Sequence, residues 1–252
     1  MIRLRRVAVL LVCVLAFLGQ GPPASTERLG AKIWVGHYQE IEEYLRTAEC
    51  VRVERFGPDK PGARCTLRPG GPVARMMWRS LPPGVYRGFR ESYKAEIAAY
   101  EVDKLLQLDM VPPSVERQLE GSTGAAQLWV ENISAVKENA SPGESNRADW
   151  DNQLARMTMF DNLIGYRDRS LGNMIRDVEW NLILLDHSRA FGDGTELPRK
   201  MNRIDQGFWS KIESLTRNQL DAALRAWLAD NEIGAILDRR EKMRAEIKSL
   251  PR

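Results

Sequence analysis

The stretch Phe160–Phe191, FDNLIGYRDRSLGNMIRDVEWNLILLDHSRAF, restricts the folds open to this chain more than any other part of it. Trp150, Leu154, Met157, Phe160 and Ile164 recur at helical spacing and stop at Gly165, a residue suited to ending a helix. A polar loop follows, carrying Asp168 and, five residues on, Asn173. Met174–Arg176 and Leu182–Leu185 then read as two short strands around Asp177–Trp180, and Asp186 follows the second. Three polar side chains therefore lie at the ends of a helix, a loop and a hairpin, where folding can gather them.

These residue types suit one chemistry. A carboxylate beside an attacking hydroxyl orients it and takes its proton. Asparagine and aspartate oxygens bind Mg²⁺ or Mn²⁺, which neutralises β- and γ-phosphate charge. An aspartate, an asparagine five residues later and an aspartate after a hairpin is the spacing used in phosphoryl transfer, with Asp168 as base and Asn173 and Asp186 as metal ligands. Singly, Asp168 and Asn173 are also good turn formers and Asp186 a strand end; the joint spacing favours phosphoryl transfer. Asp161 lies in the last turn of the helix, where the dipole disfavours an anion. It is expected to accept backbone N–H groups of the Arg167–Ser170 loop, with a solvent-facing carboxylate as the alternative.

Upstream, the periodicity predicts a helix over His37–Thr47, strands over Cys50–Phe56, Ala63–Arg68 and Val73–Arg79, and a loop over Leu81–Arg90. A helix over Ser92–Leu106 follows, stopped by Val111-Pro112-Pro113, then strands over Val115–Leu119 and Ala125–Val130 around GSTG. Asn132–Asn146 reads as a connector, and Asp205–Leu250 as helical. A small β-rich lobe joined to a helical lobe is expected: α+β, two-lobed and protein-kinase-like. Its parts are a leader over 1–25, the β-rich lobe over 26–131 and the helical lobe over 132–252.

The leader rests on Arg3, Arg5 and Arg6, the apolar run Val7–Gly19 and the small residues near Pro22–Ser25, the layout of a secretory signal. The run is short for a membrane span, so membrane attachment is expected only through an uncleaved signal anchor. Removing the leader's three arginines from a formal charge of +3 leaves a net charge of about zero, with no dense basic patch for nucleic acid. A chain that is 43% apolar and 28% charged has material for a core and is not broadly disordered. Cys50 and Cys65 lie on neighbouring strands but not directly opposite in the expected register. They are read as two small apolar residues in preference to a disulfide, and with only His37 and His187 in the chain a structural zinc site is disfavoured.

ESYKAEIAAYEVDKLLQLDMVPPSVER (Glu91–Arg117), MTMFDNLIGYRDR (Met157–Arg169) and LLDHSRAFG (Leu184–Gly192) resemble the corresponding segments of the Golgi casein kinase and Four-jointed secretory-pathway kinases, and more distantly HipA-type and phosphoinositide kinases. The resemblance covers about half the chain, roughly Val73–Gly192. It implies an atypical kinase using ATP and a divalent metal, with Glu96 as the helix glutamate, Asp168 as the base and Asp186 as a metal ligand.

The chain departs from that pattern where a nucleotide-binding lysine should end the third strand, because Met77-Trp78-Arg79-Ser80 stands there. Arg79 can pair with Glu96 and hold the α- and β-phosphates, with a planar guanidinium in place of an ammonium. Lys60, in FGPDKPG, could supply the missing point charge; Pro58 and Pro61 remove backbone donors there, so this turn reads as a lid. Glu131 and Asn132, by order along the chain, would offer backbone groups to adenine. The expected function is an exported kinase acting on a protein or sugar hydroxyl. The alternative is a pseudokinase that binds nucleotide or a partner without efficient catalysis.

Overall fold

Ala63, Cys65 and Leu67 alternate with more exposed residues on one strand, and Met76 and Trp78 do so on the next. That period of two gives a sheet with one buried face. The computed structural model describes residues 31–57 and 60–250; the expected leader and Pro58 lie outside the described residues. Helix α1 (Tyr38–Thr47) leads into β1 (Cys50–Arg55), β2 (Gly62–Leu67) and β3 (Arg75–Arg79), and a two-stranded hairpin, β4 (Gly84–Tyr86) and β5 (Phe89–Glu91), follows. Helix α2 (Tyr93–Leu106), β6 (Ser114–Leu119) and β7 (Ser122–Leu128) complete this half. Five strands form one antiparallel sheet in the order β1-β2-β3-β7-β6.

Ile41 and Leu45 of α1, with Trp34 before it, pack on the buried face against Cys65, Met76, Trp78 and Leu128. A ten-residue helix is marginal alone. Trp34 and Trp78 are 0% and 2% exposed, and a buried aromatic removes roughly 150–250 Å² from water, on the order of 4–6 kcal/mol of gross burial. Packing rather than propensity therefore holds α1. Gly124 permits the approach of β3 to β7: a Cβ there would lie 2.3 Å from the Arg79 carbonyl oxygen.

Helix α2 begins at Ser92, whose Oγ accepts the Lys94 N–H at 3.0 Å. Glu96 falls in its first turn, where the dipole favours an anion. Tyr93 and Ile97 meet Ala125 of the sheet, while Ala98, Ala99, Tyr100 and Val102 enter the core of the helical half. This helix is thus buried on both sides and ties the two cores together.

The chain crosses over through Trp129–Ile133 to β8 (Ser134–Ala135), which pairs with β9 (Met174–Arg176); β9 in turn pairs with β10 (Leu182–Leu184). Helix α3 (Glu144–Ile164) precedes this small sheet, and α4 (Gln206–Glu213), α5 (Arg217–Leu224) and α6 (Asp230–Lys248) follow it. Phe160, Leu163, Phe208, Ile212, Leu220, Ile233 and Ile236 form the centre of their core. Among the described residues no helix is long and apolar enough to cross a membrane.

Four expectations need correction. The stretch Leu81–Arg90 is not a plain loop: Gly88, at φ 84°, lets β4 and β5 pair across Arg87-Gly88. The second strand of the GSTG hairpin starts at Ser122, because Glu120 and Gly121, both at positive φ, make the turn alone. The connector after Asn132 contains β8, and α3 already begins at Glu144. Cys50 and Cys65 form a disulfide: their pairing partners are Leu67 and Val53, but a bulge between Cys50 and Arg52 brings the diagonal Cα atoms to 5.8 Å.

Candidate active site

Helix α3 ends at Gly165, at φ 69°, against the buried guanidinium of Arg239, whose Nε donates to the Leu163 carbonyl at 2.8 Å. The chain that leaves this cap is fixed by side chains. Arg169, 1% exposed at its side chain, donates to Asp161 Oδ1 at 2.9 Å and Oδ2 at 3.2 Å. Arg169 also donates to the carbonyls of Asn173 and Leu185, at 3.2 and 3.0 Å. Asp161 is fully buried and meets Arg199 as well, at 3.3 Å. Burial pushes its carboxyl up and the two guanidiniums oppose that shift. Asp161 thus secures the loop through the Arg169 side chain, not through backbone N–H groups of Arg167–Ser170 and not as a solvent-facing carboxylate.

His187 completes this network. Arg169 Nη2 donates to its Nε2 at 2.8 Å, and burial together with that cation keeps the imidazole neutral. Because arginine only donates, the ring proton must sit on Nδ1, which has no hydrogen-bond partner.

Within the loop, Ser170 N–H donates to Asn173 Oδ1 at 2.9 Å, and Asn173 Nδ2 donates to the Asp168 carbonyl at 3.1 Å and to the Tyr166 hydroxyl at 2.8 Å. Tyr166 donates to the Asp186 carbonyl at 2.6 Å. That bond offsets part of the cost of holding Asp186 at φ 56°. The backbones of Asp168 and Asp186 are therefore tied through one phenol. Their side chains remain more open, at 57% and 45% exposure.

From the sheet side, β3 delivers Arg79. Its Nη1 donates to Asp186 Oδ1 at 2.6 Å, to Glu96 Oε1 at 3.2 Å and to Ser188 Oγ at 3.5 Å. Glu96 Oε2 accepts the His187 N–H at 2.9 Å. Burial pushes the Glu96 carboxyl up to about 7 against the pull of Arg79. At Asp186 burial also pushes upward, but Arg79 and Ser188 outweigh it and hold the carboxyl below its usual range. The shorter contact of the guanidinium is with Asp186, at 2.6 Å against 3.2 Å to Glu96.

A cleft of about 480 Å³ opens between these groups, lined by Arg79, Glu96, Asp168, Asn173 and Asp186 with the apolar side chains of Met77, Ala125, Ile133, Ile175 and Leu185. Five of the residues singled out from the sequence therefore share one cavity. Lys60, Glu131 and Asn132 are not among its lining. Lys60 is exposed beside Gly57. Glu131 accepts Arg75 Nε at 2.8 Å, and Asn132 lies at φ 54° just past Trp129 and Val130, which do line the cleft.

The hard oxygen donors facing the cleft suit Mg²⁺ or Mn²⁺. Among the described residues no group of three or more His, Cys, Asp or Glu could hold a metal by itself. Asp186 and Asn173 both bring side-chain oxygens to the cleft lining, and Asn173 Oδ1 already accepts the Ser170 N–H.

Several residues that shape the site escaped the sequence reading: Tyr166, Arg169, Ser188, Arg189, Glu91 and Gly124. Gly124 was read as part of the GSTG turn, and only the strand start at Ser122 turns it into a glycine inside a strand that marks close backbone approach. Glu91 and Arg189 carry no local signal because they are 98 residues apart, and Tyr166, Arg169 and Ser188 gain their roles only once the loop and hairpin fold together.

No family model matches the chain, and no curated protein does. Solved structures do. The crystal structure of the Golgi casein kinase with Mn/ADP bound matches with a TM-score of 0.63 at 16% identity, over 83% of this chain and 75% of that one. The structure of hydra Fam20 with sugar matches with a TM-score of 0.64 at 15% identity, over 84% of this chain and 88% of that one. The chain has this atypical, two-lobed, protein-kinase-like fold.

Proposed function

We propose that this protein is an exported ATP- and divalent-metal-dependent phosphotransferase acting on a hydroxyl of a protein or carbohydrate. The observation that carries the proposal is the meeting of Arg79, Glu96, Asp168, Asn173 and Asp186, from four separate segments, around one cleft. Asp168 accepts the proton of the attacking hydroxyl as its oxygen bonds to the γ-phosphorus and the bond to the β-phosphate oxygen breaks. Arg79, steadied by Glu96, binds the α- and β-phosphates. Asn173 and Asp186 hold the metal, which supplies charge neutralisation to the β- and γ-phosphates when bound. The apolar wall around Met77 and Leu185 and the backbone from Trp129 to Asn132 receive adenine.

Export is supported by the leader pattern and by the Cys50–Cys65 disulfide, a bond that persists in oxidising compartments. The Mn/ADP bound to the Golgi casein kinase and the sugar bound to hydra Fam20 accord with the proposed cofactor and acceptor classes. The lobes divide near residues 131 and 132, at the crossover.

Turnover of ATP with Mn²⁺ and with Mg²⁺ tests the proposal on the mature chain and on Asp168→Ala. A loss of roughly 10²-fold or more in the variant is expected for removal of a catalytic base. Equal turnover in both refutes the assignment.

Arg79 favours a second reading, a pseudokinase, because it stands in place of the nucleotide-binding lysine and its Nη1 already occupies Asp186, the carboxylate assigned to the metal. Arg79→Lys separates the two. A large gain in turnover marks an impaired site, whereas a loss marks a site built around arginine.

A further inference from the structure

Asp168 has a well-fixed backbone and a loosely placed carboxylate, which leaves open what aims its side chain. The answer comes from the turn after Asp186. Ala190 N–H donates to the His187 carbonyl at 2.9 Å, closing a tight turn, and Ser92 N–H donates to the Ser188 carbonyl at 2.9 Å, pinning that turn to the start of α2. Arg189 stands at the tip. Its Nε and Nη2 donate to Glu91 Oε1 at 3.0 and 2.7 Å, and its guanidinium lies 4.1 Å from the centre of the Phe89 ring. Its remaining arm, Nη1, donates to Asp168 Oδ2 at 3.0 Å.

Two anchors on β5 therefore fix the guanidinium, and one arm is left for Asp168. A carboxylate on two free torsions needs such a peg to present one oxygen consistently. With Oδ2 engaged, Oδ1 is the oxygen left for an incoming hydroxyl. We propose that Arg189 is the positioning residue for Asp168, and that Glu91 on the β4–β5 hairpin carries it, so that the sheet lobe aims the base of the helical lobe. This rests on the phosphotransferase reading of the cleft. It adds to that reading a lobe-to-lobe link on the acceptor side, separate from the Arg79–Glu96 pair on the nucleotide side.

The test compares wild type with Arg189→Met, Arg189→Lys, Glu91→Gln and the Arg189→Met/Glu91→Gln double variant, using Mn²⁺-ATP with water as acceptor. Arg189→Met should lower kcat by about tenfold to a hundredfold, the scale of a misplaced reacting group. KM for ATP should stay within about twofold, since no phosphate contact is lost. Arg189→Lys should recover part of kcat. Glu91→Gln should lose less, and the double variant no more than Arg189→Met, because the two act as a unit. An unchanged or raised kcat in Arg189→Met overturns the proposal, as does an additive double variant. The carboxyl carbon resonance of Asp168, identified by its loss in Asp168→Asn, gives a reading independent of turnover: Arg189→Met should shift it and Arg189→Lys should partly restore it. If wild type turns over no ATP, the phosphotransferase reading fails by itself, and an unaltered Asp168 carboxyl resonance in Arg189→Met would separately refute the link.

Discussion

The helical side of the cleft and the sheet side are held in different ways. On the helical side Asp161, Arg169, His187, Asn173 and Tyr166 form a closed network, most of it buried, and its members bond to each other or to backbone. On the sheet side one nitrogen of Arg79 contacts Glu96 and Asp186 together. Buried networks of the first kind fix geometry, and losing a member leaves a buried charge unpaired. A shared contact of the second kind can re-partner when a phosphate arrives. The comparison teaches that the backbone carrying Asp168, Asn173 and Asp186 is pre-set, while the Arg79 guanidinium is the adjustable part.

The largest effect should come from breaking the pre-set side. Asp161→Ala leaves Arg169, 1% exposed, without its carboxylate, and should cost roughly 3–5 kcal/mol of stability together with turnover. Denaturant unfolding measures it; a change under about 1 kcal/mol would show that the network carries little stability.

A smaller effect is expected on the sheet side from Gly124→Ala. Its Cβ would overlap the Arg79 carbonyl, 2.3 Å away, and overpacking of this kind costs about 1–3 kcal/mol. Because β3 must shift, nucleotide affinity should fall more than the stability change alone would suggest. Calorimetric titration of ADP against the variant checks this, and unaltered affinity would mean that Arg79 is not aimed by its strand.

The smallest effect is a pH dependence. Glu96 is pushed up to about 7 by burial, above the ~4.3 of an unfolded chain. Between those values the native state binds more protons, so the Glu96 contribution is complete at low pH and fades as pH rises toward 7. Asp186, held below its usual range, works in the opposite sense: its contribution is present above the ordinary carboxylate range and fades as pH falls through its lowered value. Glu96→Gln should therefore flatten stability against pH between about 4.5 and 7 relative to wild type. A parallel pair of curves would count against the assignment of that proton.

Elements with a strong local period were legible from the sequence. The stripe ending at Gly165, the helix over Ser92–Leu106 and the strand at Met174–Arg176 were read near their true bounds, and Asp168, Asn173 and Asp186 were singled out by spacing. Arg79 and Glu96 were placed by order along the chain. The disulfide was missed because a bulge, set by backbone geometry and not by residue type, made two diagonal cysteines neighbours. Arg169 and Arg189 were missed because a surface-looking arginine gains meaning only from partners: Asp161 and Leu185 for one, Glu91 and Phe89 for the other. Asp161 was noticed for its position against the helix dipole, and the structure supplies the reason in two guanidiniums.

The most direct test of the central account is calorimetric titration of the mature chain with Mn²⁺ alone, ADP alone and the two together. On the proposed assignment of Asp186 and Asn173 as its protein donors, and with Asp186 already engaged by Arg79, the ion should bind weakly by itself. Together with ADP it should bind at least about tenfold more tightly, with Asp186→Ala abolishing the gain. Tight binding of Mn²⁺ without nucleotide, or no binding of the Mn²⁺–ADP pair, would contradict the account.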